Sequence, residues 1–178
     1  MPPVPPLPSL PLNAWLRISP DNRITVLVDR AEMGQDVSTA LPMLLAEELG
    51  VHWSSITTEF APAGKMYDNP DFGMQGTGGS SSVRVAWLSL RQTGAAAREM
   101  LISAAVAKWN VNRAECRAES GRVLHTASKK SLSYGELVAA AAALPMPKDV
   151  PLRERTIRFW EIVAHTEQWF SRDHSHGI

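Results

Sequence analysis

The sequence predicts an α+β fold in which a mixed β-sheet packs against one long alanine-rich helix and two shorter helices. Two segments, 13–18 and 23–28, alternate between apolar and polar residues and flank a turn at 19–22, which is the pattern of a β-hairpin. A helix and another strand follow, so the first half of the chain has the order β, β, α, β. The second half opens with a long stretch of helical spacing, which we expect to form the spine of the domain.

The elements after the first hairpin follow from local spacing and from turn residues. Apolar residues recur every three or four positions over residues 37–49, and Gly50 supplies a C-terminal stop, so a helix is predicted there. Residues 56–60 have the composition of a short strand. The next segment, 61–80, has no regular pattern, and loops of this length in compact domains are usually functional.

Three further elements are predicted in the second half of the chain. Alanine-rich helical spacing extends over residues 82–109, and small side chains on one face allow close approach to another element. A second hairpin, 115–125, has a two-residue turn at Ser120 and Gly121. The capping-box pattern at 133–136 then begins a helix that ends near Leu144.

Composition divides the chain into a lead-in, a domain and a tail. Residues 1–12 hold six prolines among apolar residues, which predicts an extended lead-in without the basic region of a secretory or twin-arginine signal. The predicted domain covers 13–152, and the tail covers 153–178 and includes a partly periodic helix. No apolar run reaches the length of a membrane span, and localisation stays undetermined.

The charge balance excludes one class of partner and several classes of site. Eighteen basic and eighteen acidic residues leave no net charge, whereas general nucleic-acid binders carry a basic excess. The one cysteine, Cys116, excludes an internal disulfide and a cysteine-rich metal site. We therefore expect no nucleic acid among the partners.

The most unusual composition in the chain is the uncharged segment 73–82, which is rich in glycine and serine and directly precedes the long helix. Such a loop can bring bare backbone and the free N–H groups of a helix start against an anion such as phosphate. The alternative is a flexible surface loop capped by Ser80 or Ser81. Neither a P-loop nor the dinucleotide-binding fingerprint is present, because no Gly-Lys-Ser/Thr follows and no strand precedes.

A second segment has the same design. Gly34 and Gln35 lie immediately before the helix at 37–49, as Gln75 and the glycines after it lie before the long helix. A glutamine amide both donates and accepts hydrogen bonds, which suits a ligand with mixed polar edges. The recurrence of glycine and glutamine before a helix start favours ligand binding at both loops.

The histidines do not form a catalytic or metal site. His52 and His125 lie outside any nucleophile motif and are typical of turn or strand positions. His174 and His176 provide only two of the three or four protein ligands that a zinc site needs. No catalytic residue and no metal ligand is predicted in this chain.

Charged residues on the two predicted helices are expected to be mostly solvated. Glu47 and Glu48 lie on the first helix, where Glu48 contributes its aliphatic stem to the apolar face. Arg84, Arg91 and Arg98 follow one face of the long helix. Arg84 lies in the first turn and is a candidate phosphate partner, whereas Arg91 and Arg98 are expected to face solvent.

Three segments resemble a known family: they are Ala31-Glu32-Met33-Gly34-Gln35, Thr39-Ala40-Leu41-Pro42-Met43-Leu44, and Phe72-Gly73-Met74-Gln75-Gly76-Thr77-Gly78-Gly79-Ser80 with Ser82-Val83-Arg84. They are similar to the large subunit of molybdenum hydroxylases, within the xanthine dehydrogenase/aldehyde oxidase family. The similar branch contains the isoquinoline 1-oxidoreductase beta subunit and membrane-associated aldehyde dehydrogenases. The resemblance extends over about 12–152, including the segments 91–98 and 132–137.

The resemblance implies a site for molybdopterin cytosine dinucleotide. In the family reaction, a carbon beside a heteroatom or an aldehyde carbon receives oxygen from water, and electrons pass to an iron–sulfur subunit or a cytochrome c subunit. Gly34 and Gln35 match the family's Gly-Gln contact, and residues 79–82 match donors around the pterin and its phosphates. The predicted cofactor-binding residues are Gly34, Gln35, Gln75, Gly76, Thr77, Gly78, Gly79, Ser80, Ser81 and Ser82.

Departures from the family pattern limit what this chain does alone. Asp36 stands where the family usually has glycine, and a carboxylate there repels a phosphate, although aspartate is also a good helix N-cap. The family's catalytic glutamate and second glycine-rich molybdenum loop belong to regions that this chain lacks. We therefore expect a cofactor-binding portion of a larger subunit that is inactive alone. The alternative is a truncated remnant that binds no cofactor and docks to a partner or is unstable.

Overall fold

A computed structural model describes residues 10–154 and confirms the α+β class. The described residues contain three α-helices, which are α1 (Val37–Leu49), α2 (Ser82–Trp109) and α3 (Tyr134–Ala142). They also contain seven strands, which are β1 (Leu10–Asn13), β2 (Leu16–Ile18), β3 (Ile24–Val28), β4 (Ile56–Phe60), β5 (Cys116–Glu119), β6 (Arg122–His125) and β7 (Lys130–Ser133). The bounds predicted for α1, β4 and α2 coincide with the observed ones.

The first sheet is mixed and has the strand order β1-β2-β3-β4. The predicted hairpin is present, since β2 and β3 pair antiparallel, and β1 adds to it from residues 10–13. β4 pairs parallel with β3, from Ile24 opposite Ile56 to Val28 opposite Phe60. A parallel pair needs a crossover connection, and α1 supplies it.

The second sheet is antiparallel, in the order β5-β6-β7. Ser120 and Gly121 form the predicted turn between β5 and β6, with φ of 50° and 73°, the left-handed values that a tight hairpin turn requires. The sequence did not predict β7, whose lysine and serines give no strand pattern. The predicted capping box follows it: Ser133 accepts from the N–H of Glu136, and the Glu136 carboxylate accepts from the N–H of Ser133 at 2.8 Å.

The central packing contact is between α1 and α2, which run in the same direction. Leu41 of α1 shares a buried apolar cluster with Ala86 and Leu90, near the start of α2. Further along both helices, a Cβ added at Gly94 would lie 2.6 Å from the carbonyl oxygen of Leu45, so only glycine permits this approach. The two helices therefore begin at the same end of the domain.

The expectation that Glu48, Arg91 and Arg98 are solvated was wrong. Glu48 is fully buried, and Arg98 is 6% exposed. Glu48 Oε1 accepts from Arg91 Nε at 2.7 Å, and Oε2 accepts from Arg98 Nη1 at 3.1 Å. Glu48 is buried because it lies on the face of α1 that packs on α2, where it follows Leu41 and Leu45 at helical spacing.

The last described residues are held against the same buried cluster. The backbone N–H of Arg153 donates to Glu48 Oε2 at 2.8 Å, and its guanidinium donates to the carbonyl of Ala118 at 2.7 Å. The guanidinium crosses Gly50, where an added Cβ would lie 2.3 Å from it. The predicted tail helix and the pair His174 and His176 lie outside the described residues.

Two absences can be stated for residues 10–154. None of the helices there combines the length and the hydropathy that crossing a bilayer requires. In the same range, no group of three or more histidine, cysteine, aspartate or glutamate side chains is arranged to hold a metal ion.

Candidate functional site

The two loops that precede α1 and α2 meet at one end of the domain. We call residues 29–36 the α1 loop and residues 69–81 the α2 loop. The N–H of Ala31 donates to Thr77 Oγ1 at 2.8 Å, which joins them directly. Since α1 and α2 also begin at this end, the positive ends of both helix dipoles point toward the same surface.

In the α1 loop, the carboxylate of Glu32 fills the helix start. Its Oε1 accepts from the N–H groups of Gly34, Gln35 and Asp36 at 2.9, 2.9 and 3.1 Å. Its Oε2 accepts from the N–H and the hydroxyl of Ser38 at 3.0 and 2.7 Å. These hydrogen bonds, those from Ser38 above all, lower the pKa of Glu32 to about 2. The carboxylate is therefore charged at neutral pH and engages every donor around it.

Gln35 holds the α1 loop from the other side. Its Oε1 accepts from the N–H of Met33 at 2.5 Å, and its Nε2 donates to the carbonyl of Ala31 at 2.8 Å. Gly34 adopts φ of 88°, and an added Cβ there would meet nothing within 4 Å. The loop thus presents bare, exposed backbone at Gly34, where a ligand can approach without meeting a side chain.

The α2 loop is organised around Asn69, which is fully buried. Its Nδ2 donates to Ser81 Oγ at 2.8 Å and to the carbonyl of Gly76 at 3.4 Å. Ser81 is 1% exposed, and its hydroxyl donates in turn to the carbonyl of Gly78 at 2.8 Å. The side chain of Ser81 therefore supports the loop from inside and offers no free donor to the surface.

Three of the four glycines of the α2 loop lie against an aromatic ring. Added Cβ atoms at Gly76, Gly78 and Gly79 would meet Phe72 at 3.4, 3.8 and 3.8 Å. Gly79 and Ser80 have φ of 57° and 50°, and these two left-handed residues turn the chain into α2. An added Cβ would therefore make only ordinary van der Waals contact with the ring, and it is the left-handed turn at Gly79 that favours glycine.

The start of α2 is open, in contrast to the start of α1. Within residues 10–154, no protein group accepts a hydrogen bond from the amides of Ser82, Val83 or Arg84. No acidic residue lies in the first turn, and the Ser81 side chain does not cap it. The guanidinium of Arg84 points to Asp71, with which it forms an ion pair at 2.5 Å. Three amides at the positive end of a 28-residue helix are therefore available to an anion.

The two remaining predicted residues, Gln75 and Thr77, are half-buried polar groups of the α2 loop. Gln75 accepts from the N–H of Gly64 at 3.3 Å through Oε1. Thr77 accepts from Ala31 through its hydroxyl oxygen. Nine of the ten predicted site residues thus lie in the α1 loop and the α2 loop, which join at Ala31 and Thr77, and the tenth, Ser82, is the first residue of α2.

The sequence patterns did not single out three residues that shape this end of the domain. These are Glu32, Asn69 and Arg30, whose buried guanidinium pairs with Asp29 at 3.0 Å and donates to the carbonyl of Tyr67 at 3.2 Å. For Arg30, the available signal was its position beside Asp29, since two adjacent opposite charges directly follow the apolar strand β3. For Asn69, the available signal was its position in a turn-forming sequence, Asn69-Pro70-Asp71, shortly before the glycines.

The predicted turn position of His52 and strand position of His125 are confirmed. His52 caps the short 3₁₀ helix Trp53–Ser55 by accepting from the N–H of Ser54. His125 belongs to β6, where its ring nitrogens contact Ser128 Oγ at 2.7 Å and Glu115 Oε2 at 2.9 Å. Neither ring lies at the end of the domain where the two loops meet.

Comparison with known proteins identifies a family. A family model described as "Molybdopterin cofactor-binding domain" matches residues 6–173. Isoquinoline 1-oxidoreductase subunit beta of Brevundimonas diminuta is 36% identical over 141 residues, which are 78% of this chain and 18% of that protein. A membrane-bound aldehyde dehydrogenase (pyrroloquinoline-quinone) of Gluconacetobacter polyoxogenes is 35% identical over 125 residues, 70% of this chain and 15% of that protein. The chain thus spans less than a fifth of either relative.

Solved structures share the fold. Quinoline 2-oxidoreductase from Pseudomonas putida 86 superposes with a TM-score of 0.53 at 22% identity, over 73% of this chain and 16% of that one. Reconstituted CO dehydrogenase from Oligotropha carboxidovorans gives a TM-score of 0.51 at 20% identity, over 77% of this chain and 17% of that one. At these identities the likeness concerns the fold alone.

Proposed function

The chain belongs to the molybdopterin cofactor-binding domain family, and we propose that it holds the pterin cofactor of a molybdenum hydroxylase between the α1 loop and the α2 loop. The observation that carries this proposal is the junction of the two loops at Ala31 and Thr77, beside a helix start with three available amides. The residues present there fit the group: bare backbone at Gly34, neutral polar side chains and an open anion position.

We assign the phosphate groups of the cofactor to the start of α2. The amides of Ser82, Val83 and Arg84 point out of the helix start, and the hydroxyls of Ser80 and Ser82 add two further donors. A helix start of this kind favours an anion through both its N–H groups and its dipole. Ser81 supports this arrangement from inside through Asn69 and Gly78, and it makes no contact with the ligand through its hydroxyl.

We assign the uncharged pterin to the surface between the loops. A pterin ring has donors and acceptors along its edges, and neutral amides and hydroxyls can match both. Gln75 and Thr77 are half-buried groups of this kind, and Gly34 leaves room for a flat ring beside them. The dinucleotide form with cytosine is the form that the similar enzyme branch suggests, and we propose it here.

In the complete enzyme, the bound cofactor supplies the redox chemistry that hydroxylates a carbon beside a heteroatom or oxidises an aldehyde. The residues described here bind and orient that cofactor, and the loops contain no histidine that could move a proton for the reaction. We therefore propose that this portion is inactive alone. The substrate class, an N-heteroaromatic compound or an aldehyde, and the iron–sulfur and cytochrome c partners are proposals for the whole subunit.

The test is the molybdenum content of the chain. After co-expression with the functions that synthesise the cofactor, we expect molybdenum to copurify with the full 178-residue chain. Nucleotide released by acid hydrolysis and separated by chromatography identifies the cytosine form. Gln35→Ala and Gly79→Val should each lower the molybdenum content while the far-ultraviolet circular dichroism spectrum is unchanged.

A matched control for Gly79→Val is Gly121→Val. Both glycines have positive φ, 57° and 73°, so both substitutions strain the backbone, but Gly121 lies in the distant β5–β6 turn. Equal molybdenum contents in the two variants would contradict the site assignment. Absence of molybdenum from the wild-type chain would contradict the proposed function itself.

The second candidate function is docking to a partner without any cofactor. The observation that favours it is the exposed apolar surface around the loops, where Met33 is 66%, Met74 is 62% and Leu88 is 54% exposed. This reading predicts a chain without molybdenum that binds a hydrophobic dye strongly. Molybdenum content therefore separates the two candidates.

A further inference from the structure

We infer that Glu32 is a specificity-determining residue: its carboxylate occupies the anion position at the start of α1 and leaves only the start of α2 to the phosphate end of a ligand. For the ligand's orientation, the inference rests on the proposed cofactor site. The occupation of the α1 start can be tested on the cofactor-free protein.

The first argument is that Glu32 occupies most of the donors at the α1 start. An ionised carboxylate accepts at about four lone-pair positions, and Glu32 receives five donors, four from backbone amides and one from the hydroxyl of Ser38. Two of these amides, those of Asp36 and Ser38, belong to the first four of the helix, which an external phosphate would use. Among residues 10–154, the amide of Val37 has no acceptor. A phosphate can bind there only by displacing a charged group that is tethered beside it.

The second argument is charge. The α1 start carries two carboxylates, Glu32 and Asp36, and the side chain of Asp36 does not cap the helix. A phosphate at the α1 start would therefore meet two like charges within one turn. The first turn of α2 has no acidic residue, and its amides are available. The carboxylate of Asp71 lies beside the first turn of α2, but it pairs with the Arg84 guanidinium and accepts from none of the amides of Ser82, Val83 and Arg84. Both helix dipoles attract an anion, but only at α1 does a carboxylate of the chain occupy the amides.

The consequence is that the ligand binds in one orientation. Its anionic end binds at the amides of Ser82, Val83 and Arg84, and its uncharged end faces Gly34 and the exposed side of the α1 loop. Asp36, which stands where the family usually has glycine, adds to this effect. Its negative charge lies at the α1 start and also repels the phosphate end of the ligand from there. The two helix starts have dipoles of the same polarity, but only the α2 start remains available to the phosphate end of the ligand.

The test is a titration of the cofactor-free 178-residue chain with inorganic phosphate, followed by amide NMR. In the wild-type protein we expect the amide signals of Gly34, Gln35, Asp36 and Ser38 to keep their positions. In Glu32→Ala the same four signals should shift as phosphate enters the vacated position. Asp36→Asn is the matched control, because it removes a charge from the same loop, and asparagine tolerates the left-handed conformation there.

Three results would overturn the inference. They are phosphate-induced shifts of those four amides in the wild-type protein, equal shifts in Asp36→Asn and Glu32→Ala, or no shift in either Glu32→Ala or Glu32→Gln. Glu32→Gln keeps the side-chain length, and it replaces Glu32→Ala if the shortened side chain lets the loop change shape. The amides of Ser82, Val83 and Arg84 are followed in the same spectra. Their failure to respond would count against the proposed phosphate position and would leave the result at Glu32 standing.

Discussion

Before the start of α1, the carboxylate of Glu32 is exposed and accepts hydrogen bonds from its own loop; in the last turn of the same helix, the carboxylate of Glu48 is buried among arginines. Both groups are glutamate carboxylates, one before α1 and one inside it, yet their partners and their burial differ. Glu32 shapes a surface that faces a ligand. Glu48 joins α1, α2 and the end of the described chain.

The difference follows from desolvation. A buried carboxylate is retained only when opposite charges and hydrogen bonds replace its water, and Glu48 meets Arg91, Arg98 and the N–H of Arg153. Glu32 keeps water on its outer side and needs no countercharge. Substitution of Glu48 should therefore affect mainly folding stability, and substitution near Glu32 mainly ligand binding.

The largest effect is expected for Glu48→Ala. This change removes the buried carboxylate that pairs with both Arg91 and Arg98 and leaves Arg98 a single ion pair, its 3.4 Å contact with Glu99. Breaking such a buried pair costs about 3–5 kcal/mol of the free energy of unfolding. Chemical denaturation of the full chain measures this loss. Glu47→Ala, one position earlier and only half-buried, is the matched control and should stay within about 0.5 kcal/mol of the wild type. Similar losses in both variants would show that the buried cluster has no special role.

Local patterns were sufficient to predict most of the fold. The spacing of leucines predicted α1, and the alanine-rich stretch predicted α2. The turn residues Ser120 and Gly121 predicted the second hairpin. Each of these signals lies within the element itself. β7 was not predicted because its polar residues become a strand only by pairing with β6.

The buried charges and the loop anchors could not be predicted in the same way. Glu48 looks like a surface residue in the sequence, and its burial depends on Gly94, a residue of another helix that lets the backbones approach. Asn69 looks like a turn residue, and its role depends on Ser81. The α1 loop and the glycine-rich α2 loop were predicted as one site from composition and resemblance. The occupation of one of them by Glu32 required coordinates.

For Val83→Glu we expect a smaller change in folding stability than for Glu48→Ala and a large loss of cofactor binding. This substitution gives the start of α2 the internal carboxylate that α1 already has. A carboxylate in the first turn should stabilise the helix by about 0.3–1 kcal/mol, while it repels the phosphate of the cofactor. We expect at least a tenfold loss of molybdenum content, which is about 1.4 kcal/mol of binding free energy, together with an unchanged or slightly higher melting temperature.

Val83→Gln is the control for this prediction. The neutral side chain has nearly the same shape as glutamate and should retain most of the molybdenum. Equal losses in Val83→Glu and Val83→Gln would indicate a steric effect, and the comparison between the two helix starts would then lose its electrostatic basis. Full retention in both would mean that the phosphate does not bind at the start of α2.

The smallest effect is expected at Glu32 as the pH falls. Hydrogen bonds from Ser38, and then from Gly34 and Asp36, lower its pKa from 4.5 to about 2. Because folding lowers this pKa, the stabilisation is complete above the unfolded value and is lost as the pH falls from about 4.5 to about 2. Asp21 and Glu136 also have lowered pKa values, so acid unfolding of the wild type includes their contributions. The difference in unfolding free energy between wild type and Glu32→Gln isolates the Glu32 part. It should be constant above pH 4.5 and shrink toward pH 2, whereas a difference that is flat over this range would mean that the carboxylate does not hold the α1 start.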